Sequence, residues 1–257
     1  KLLIEHFAGY SLIDILTGKK LTQEKLELVK EKAQLRAKTR QPIQHIIGLA
    51  DFMGEKFIVN PSVLIPRDET EFLVRQAVEI INQNNFKTVL DMCTGSGCIA
   101  CMIAKLTEAQ VVGVDISNEA LHTAFSNMEK FKLFNKATFR KSDIYDKIRE
   151  DETFDIIVSN PPYIPTEEIK TLMPEVREFE PFLALDGKED GLFFYRKIIR
   201  EANSHLKPDG FLLLEIGCGQ GKDVACLMEA EGYKEITIRK DLSGLDRIVI
   251  GKGRNYV

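Results

Sequence analysis

The tetrapeptide Asn160-Pro161-Pro162-Tyr163 follows the run Asp155-Ile156-Ile157-Val158-Ser159. That run has the length and β-branched content of a buried strand, so the tetrapeptide sits at a strand's C-terminal end. Two prolines in a row have fixed φ and no N–H, which makes a stiff segment with outward carbonyls. Asn160 adds a side-chain carbonyl beside the backbone carbonyl of Pro161. Two adjacent acceptors, with the flat face of Tyr163, suit a planar –NH2 group. Such a nitrogen is a poor nucleophile because its lone pair is delocalised. Hydrogen bonds to both its protons can hold it pyramidal and aim the lone pair at an electrophilic methyl. Catalysis of this kind is positioning and electrostatics and needs no strong base. The bland alternative is a rigid Pro-Pro turn; all four residues together at a strand end favour the chemical reading.

A second constellation is Asp91-Met92-Cys93-Thr94-Gly95-Ser96-Gly97, which ends a strand and opens an apolar helix at Cys98. Gly95 and Gly97 permit a sharp turn and close backbone approach to a ligand. The N–H groups of the following helix favour an anion or carboxylate. Asp115 ends the next strand, twenty residues after Gly95, where a carboxylate can accept from both ribose hydroxyls. Asp143, in Lys141-Ser142-Asp143-Ile144, is placed to accept from an adenine amino group with Ile144 against the ring; a helix cap is its alternative. The set suits a dinucleotide or S-adenosylmethionine. The third glycine of the dinucleotide fingerprint falls on Ala100, and no Lys-Ser/Thr follows the turn, which excludes a P-loop. Gly217-Cys218-Gly219-Gln220-Gly221 lacks an acid-ended strand after it and reads as a structural turn. Cys93, Cys98 and Cys101 have plant-type iron–sulfur spacing. Cys98 and Cys101, however, lie one turn apart on an apolar helix face, as core residues do, and no metal is expected.

These residues need a scaffold. Strand-length runs near 88–91, 111–115, 137–140, 154–159, 211–216, 235–240 and 246–251 alternate with helical stretches from about 69 onward, one of them, 190–205, ending at Lys207-Pro208-Asp209-Gly210. Such alternation implies an α/β fold, a mostly parallel sheet with helices on both faces and ligands beyond the strands' C-terminal ends. Residues 1–50 read as helical, with Thr22 as an N-cap and a stripe of Leu26, Val29, Ala33 and Arg36. Residues 51–67 read as a hairpin linker, leaving 68–257 for the sheet domain. The 257 residues are 44% hydrophobic and 29% charged, which excludes disorder and collagen-like repeats. Net charge is −4, against a surface built wholly to neutralise phosphates. Residues 1–50 carry +4, leaving −8 elsewhere. That basic segment is either a solvated face or a docking surface for an acidic or RNA-containing partner. No run approaches the roughly 20 apolar residues of a membrane helix. Five cysteines without a secreted-scaffold spacing read as free thiols in a reducing compartment. A first residue Lys1 rather than Met implies an incomplete N-terminus.

The chain resembles the HemK/PrmC family of class I, Rossmann-like, S-adenosylmethionine-dependent methyltransferases that modify peptide chain release factors. The resemblance rests on Leu64-Ile65-Pro66-Arg67-Asp68-Glu69-Thr70-Glu71, Thr94-Gly95-Ser96-Gly97 and Asn160-Pro161-Pro162-Tyr163. Glu180-Pro181 with Ala184-Leu185, Leu214-Glu215-Ile216-Gly217, and Asp241 to Gly244 with Asp246-Arg247 add to it. It implies a seven-stranded sheet domain, a small N-terminal helical domain that grips the release factor, and N5-methylation of the glutamine in the factor's Gly-Gly-Gln motif. Cys93, Thr94, Gly95, Ser96 and Gly97 with Asp115 would then hold the methionine part and ribose of the donor, Asp143 and Ile144 the adenine. Asn160, also next to the donor, would hold the substrate amide with Pro161, Pro162 and Tyr163; Asn160, Pro161 and Tyr163 are the catalytic candidates. Arg67 and Thr70 would border the substrate. Cys93 stands where the family has glycine, Asp68 where it has proline, and the aliphatic Ile144 where an aromatic is common. The expectation is a cytoplasmic monomer acting on protein, with no membrane and no direct nucleic-acid substrate. Its rivals are an RNA or DNA base amino-group methyltransferase and a donor-binding adaptor without catalysis.

Overall fold

Residues alternate sides along a strand, and the central strands use both sides for core. The computed structural model describes residues 1–254. It begins with a π-helical turn (Ile4–Ala8), α1 (Leu12–Leu16), α2 (Gln23–Thr39) and α3 (Ile43–Ile47), then a hairpin of β1 (Leu49–Phe52) and β2 (Glu55–Ile58). The α/β region follows as α4 (Asp68–Asn84), β3 (Thr88–Met92), α5 (Cys98–Leu106), β4 (Gln110–Asp115), α6 (Asn118–Lys130), β5 (Ala137–Lys141) and β6 (Phe154–Ser159). Three single-turn helices, α7 (Thr166–Ile169), α8 (Pro174–Arg177) and α9 (Phe182–Leu185), precede α10 (Phe193–His205). The chain ends in β7 (Leu206–Glu215), α11 (Gly221–Ala230), β8 (Lys234–Lys240) and β9 (Asp246–Lys252).

The main sheet has seven strands in the order β5-β4-β3-β6-β7-β9-β8, parallel except for β9, which is antiparallel to both its neighbours. Val89, Ile156 and Leu213 face a core built with Leu73, Ile81 and Ile103 of α4 and α5. Their neighbours Leu90, Ile157 and Leu214 face the other core, with Tyr195, Ile198 and Val224 of α10 and α11. α4 buries Thr70, Leu73, Val74, Ala77 and Ile81, a helical stripe. α5 is buried all round from Cys98 to Ala104. The strand order reverses between β3 and β6, the place where such sheets open a crevice.

Two local readings change. The strand expected from 211 already begins at Leu206: Phe154 pairs with Leu206 and Ile156 with Phe211, so Lys207-Pro208-Asp209-Gly210 is a bulge within β7 rather than a break before it. Asp209 there has φ +64°. In α2, Thr22 caps the helix by accepting from the Lys25 N–H, but only Val29 is buried; Ala33 of the expected stripe is exposed. This helix is tied down through polar contacts instead. Lys25 Nζ donates to the Ala8 carbonyl at 2.6 Å, and the Arg40 guanidinium forks onto Glu175 of α8 at 2.8–3.0 Å. The hairpin turn has Met53 at φ +51° and Gly54 at +78°, the two left-handed residues that match the twist of paired strands. Among the described residues no helix is long and apolar enough to cross a membrane, and no group of three or more His, Cys, Asp or Glu is placed to hold a metal ion.

Candidate active site

A cavity of about 350 Å³ opens at the C-terminal ends of β3, β4 and β6. Arg67, Thr70, Cys93, Thr94, Gly95, Ser96, Asp115, Asp143, Ile144, Asn160 and Pro162 all line it. Gly97, Pro161 and Tyr163, expected at the site as well, are not among its lining residues.

The glycine turn is held from beneath by a carboxylate that the sequence reading left without a role. Asp91, wholly buried at the end of β3, accepts from the Thr94 hydroxyl at 2.5 Å and from the Ala100 N–H at 3.1 Å. One helix N–H expected to face a ligand is thus taken by an internal acid. Burial pushes the Asp91 carboxyl up to about 7, against the pull of those two hydrogen bonds. Asn127 of α6 secures the same turn from the side, donating to the Ser96 carbonyl at 2.9 Å and to the Ile58 carbonyl at 3.0 Å. The two glycines differ in purpose. Around Gly95 an added Cβ would meet nothing nearer than the Cys93 carbonyl at 4.0 Å, so this backbone is open to a ligand. At Gly97 a Cβ would meet Phe139 at 2.9 Å and Ala124 at 3.0 Å, so its smallness serves helix–sheet packing as well as its φ of +75°.

Asp115 spans the turn and the next helix: Oδ2 accepts from the Gly95 N–H and Oδ1 from the Ser117 N–H, both at 2.9 Å. Burial raises its carboxyl, while those backbone N–H groups hold it down. Each oxygen keeps a lone pair for a further donor. Asp143 is half-exposed on the wall, with Lys197 Nζ of α10 at 3.8 Å. Cys93 and Ile144 both adopt left-handed backbone, φ +60° and +50°, which is costly for a side chain and most of all for a β-branched one. The Ser142 hydroxyl donates to the Ile144 carbonyl at 2.7 Å and fixes that conformation. Burial raises the Cys93 thiol far above its ordinary value, with Ser159 opposing the rise.

Asn160 follows β6 and donates its Nδ2 to the Thr70 hydroxyl of α4 at 3.1 Å. Tyr163 is clamped by its backbone. An added Cβ at Gly187 would meet its carbonyl carbon at 2.7 Å, and Gln220 Nε2 donates to its carbonyl oxygen at 3.0 Å. Gln220 belongs to the second glycine turn, where its Oε1 also accepts from the Gly217 N–H at 2.9 Å. That turn is structural, as read, and what it supports is the Asn-Pro-Pro-Tyr segment. Burial pushes the Tyr163 phenol up to about 12. Sequence reasoning also gave no role to Glu180, Glu215 or the cavity-lining Phe193 and Lys197. An acid inside the apolar run Leu212-Leu213-Leu214-Glu215-Ile216 was the available signal for Glu215.

Residues 68–176 match the family described as the methyltransferase small domain. The release factor glutamine methyltransferase of Geobacter sulfurreducens is 43% identical over 235 residues, covering 91% of this chain and 81% of that protein. The protein of the same name from Fusobacterium nucleatum is 39% identical over 236 residues, and the match spans 66% of its length. Among solved structures, a T. thermophilus 16S rRNA methyltransferase in complex with AdoMet and guanosine superposes with a TM-score of 0.58 at 19% identity, over 80% of this chain and 50% of that one. The last likeness is one of fold, that of the class I methyltransferases. At 43% identity over four-fifths of a relative's length, the chain belongs to the release factor glutamine methyltransferase family.

Proposed function

We propose that this chain uses S-adenosylmethionine to methylate the side-chain nitrogen (N5) of the glutamine in the Gly-Gly-Gln motif of a peptide chain release factor. Family membership supports the reaction. One observation supports the way this site performs it: the Asn160 amide has its N–H end on Thr70, which leaves the oxygen end to accept from a substrate amide in the cavity.

The residues fit the methyl donor. The open backbone at Gly95 suits its close approach, the spare lone pairs of Asp115 suit ribose hydroxyls, and Asp143 with Ile144 suits an adenine edge and face. Cys93 to Gly97 would hold the methionine part. When bound, S-adenosylmethionine supplies an electrophilic methyl carbon on a sulfonium. The chain's own work is to orient the acceptor. Asn160 Oδ1 and the Pro161 carbonyl take the two amide protons, the Tyr163 ring backs the flat group, and Arg67 and Thr70 border the substrate. Positioning of this kind replaces a base. We assign residues 1–50 to gripping the release factor, 51–67 to the linker and the remainder to methyl transfer. The net −8 of residues beyond 50 gives little support to a long phosphate track.

Labelled methyl donor offered separately to purified release factor and to RNA tests the reading. Label is expected on the release-factor glutamine; label in RNA alone overturns it.

A further inference from the structure

Glu215 is the last residue of β7, one step past the pair Ser159 and Leu214, and so stands beside Asn160 across the sheet. It is 1% exposed and does not reach the cavity wall. A buried carboxyl ordinarily has a cationic partner. The nearby Arg247 instead directs its guanidinium to Asp241 and the Ile216 carbonyl. Thr70 and Asn160 are the polar side chains that pull the Glu215 carboxyl down, and its Oε2 is buried with no hydrogen-bond partner. Burial, opposed first by Thr70 and next by the Arg247 charge, pushes this carboxyl up to about 7, with Glu69 adding to the rise.

The two ends of an asparagine amide have nearly the same shape, so only hydrogen-bond partners decide which end faces a ligand. Thr70 Oγ1 accepts from Asn160 Nδ2, but a hydroxyl can equally donate. When that proton turns to the unpartnered Glu215 carboxylate beside it, the hydroxyl can only accept from Asn160. We propose that Glu215 is a positioning residue that fixes the amide of Asn160, through Thr70, with its oxygen towards the substrate; this rests on the functional reading above. Without the carboxyl, the Thr70 hydroxyl is free to turn its proton to Asn160, and the amide can present its N–H end to the cavity.

The full chain is compared with Glu215→Leu, Glu215→Gln and Thr70→Val. Turnover of release factor is measured together with calorimetric affinity for S-adenosylmethionine. Binding is measured for two release factors, one with the motif glutamine and one with glutamate in its place. Glu215→Leu is expected to lower kcat about 100-fold, the scale of a lost preorganised hydrogen-bonding group, with donor affinity within about threefold. A flipped Asn160 donates to a carboxylate, so the ratio of glutamate-form to glutamine-form affinity should rise about tenfold on loss of that control. Thr70→Val should shift the ratio the same way. Glu215→Gln keeps an acceptor oxygen for Thr70 and should retain most of the activity. A merely structural role would weaken both forms together. An unchanged ratio in both Glu215→Leu and Thr70→Val overturns the positioning role. A wild-type chain that methylates no release factor overturns the functional reading and this inference with it.

Discussion

Arg67 Nη2 lies 2.8 and 2.6 Å from the two carboxylate oxygens of Glu180, joining the residue that precedes α4 to the one that introduces α9. The Glu180 side chain is 1% exposed and that of Arg67 35%. Burial raises the Glu180 carboxyl, and Arg67 opposes the rise. Removing the arginine leaves a buried acid with its partner gone. Arg67→Ala should therefore cost about 2 kcal/mol at neutral pH, below the loss for a fully buried pair because the arginine is partly solvated. Pro181, Leu183 and Ala184 beyond Glu180 form cavity wall, so activity should fall with stability. A denaturation midpoint equal to wild type would show that the pair holds nothing.

The assignment of Asn160 predicts a separation of binding from turnover. Asn160→Ala removes an acceptor for the substrate amide and leaves the glycine turn, Asp115 and Asp143 in place. Turnover should fall at least 10²–10³-fold, the scale of one preorganised partner, with S-adenosylmethionine affinity changed by no more than a few-fold. Single-turnover kinetics and calorimetry measure the two quantities, and wild-type turnover in the variant would remove Asn160 from the reaction.

Glycines near the site should not be equally tolerant. A Cβ at Gly187 would strike the backbone of Tyr163 at 2.7–2.8 Å and the Gly191 Cα at 2.8 Å. Backbone cannot rotate away as a flexible side chain can, so Gly187→Ala should cost about 1–3 kcal/mol and displace the Asn-Pro-Pro-Tyr segment. Gly219, at φ +100°, has nothing within 4 Å of its would-be Cβ. Gly219→Ala should carry only local backbone strain, about 1 kcal/mol, and keep kcat. Equal losses of kcat in the two variants would contradict the clamp on Tyr163.

Thiol chemistry should divide the cysteines by environment. Cys218 and Cys226 are exposed, whereas Cys98 and Cys101 are buried. Burial raises the thiols of Cys93 and Cys101 and pushes that of Cys98 up to about 12. Reaction needs thiolate and access. An aromatic disulfide reagent should titrate two thiols quickly in the native protein and all five only after unfolding. A third fast thiol would place Cys93 in an open, ionisable setting.

Much of the frame was legible because it depends on local pattern. Apolar runs bounded by turns marked the seven strands, and Asp115 and Asp143 line the cavity at the strands' C-terminal ends. Lys207-Pro208-Asp209-Gly210 misled for a physical reason: turn residues bend a chain equally well in a loop and in a bulge, and only the pairing of Phe154 with Leu206 tells them apart. α7, α8 and α9 are single turns, too short to leave a period. Glu180 and Gln220 acquire their contacts from partners at least 57 residues away, Arg67 and Tyr163, and Glu215 comes beside Asn160 only through the pairing of β6 with β7. Such pairings exist only once the sheet has formed.

Asp91 supplies a test by pH. Its Oδ2 takes the Thr94 hydroxyl and the Ala100 N–H, while Oδ1 is buried without a partner. Burial pushes the carboxyl up to about 7, whereas in the unfolded chain it titrates near 4. The folded state therefore keeps a proton between about pH 4 and pH 7 that the unfolded state has released. By linkage this group's contribution is complete below about pH 4 and falls by at most about 1.4 kcal/mol per pH unit until the folded carboxyl ionises near 7. Asp91→Asn preserves an oxygen for Thr94 and Ala100 and cannot ionise. The variant should thus gain stability relative to wild type as pH rises from 4 to 7, and the difference should level off above that. Asp115, whose carboxyl is also raised, is present in both proteins and largely cancels in the comparison. Denaturation midpoints of the pair at unit steps of pH measure it. A difference that stays constant from pH 4 to 8 would mean that Asp91 is already ionised at the foot of the glycine turn.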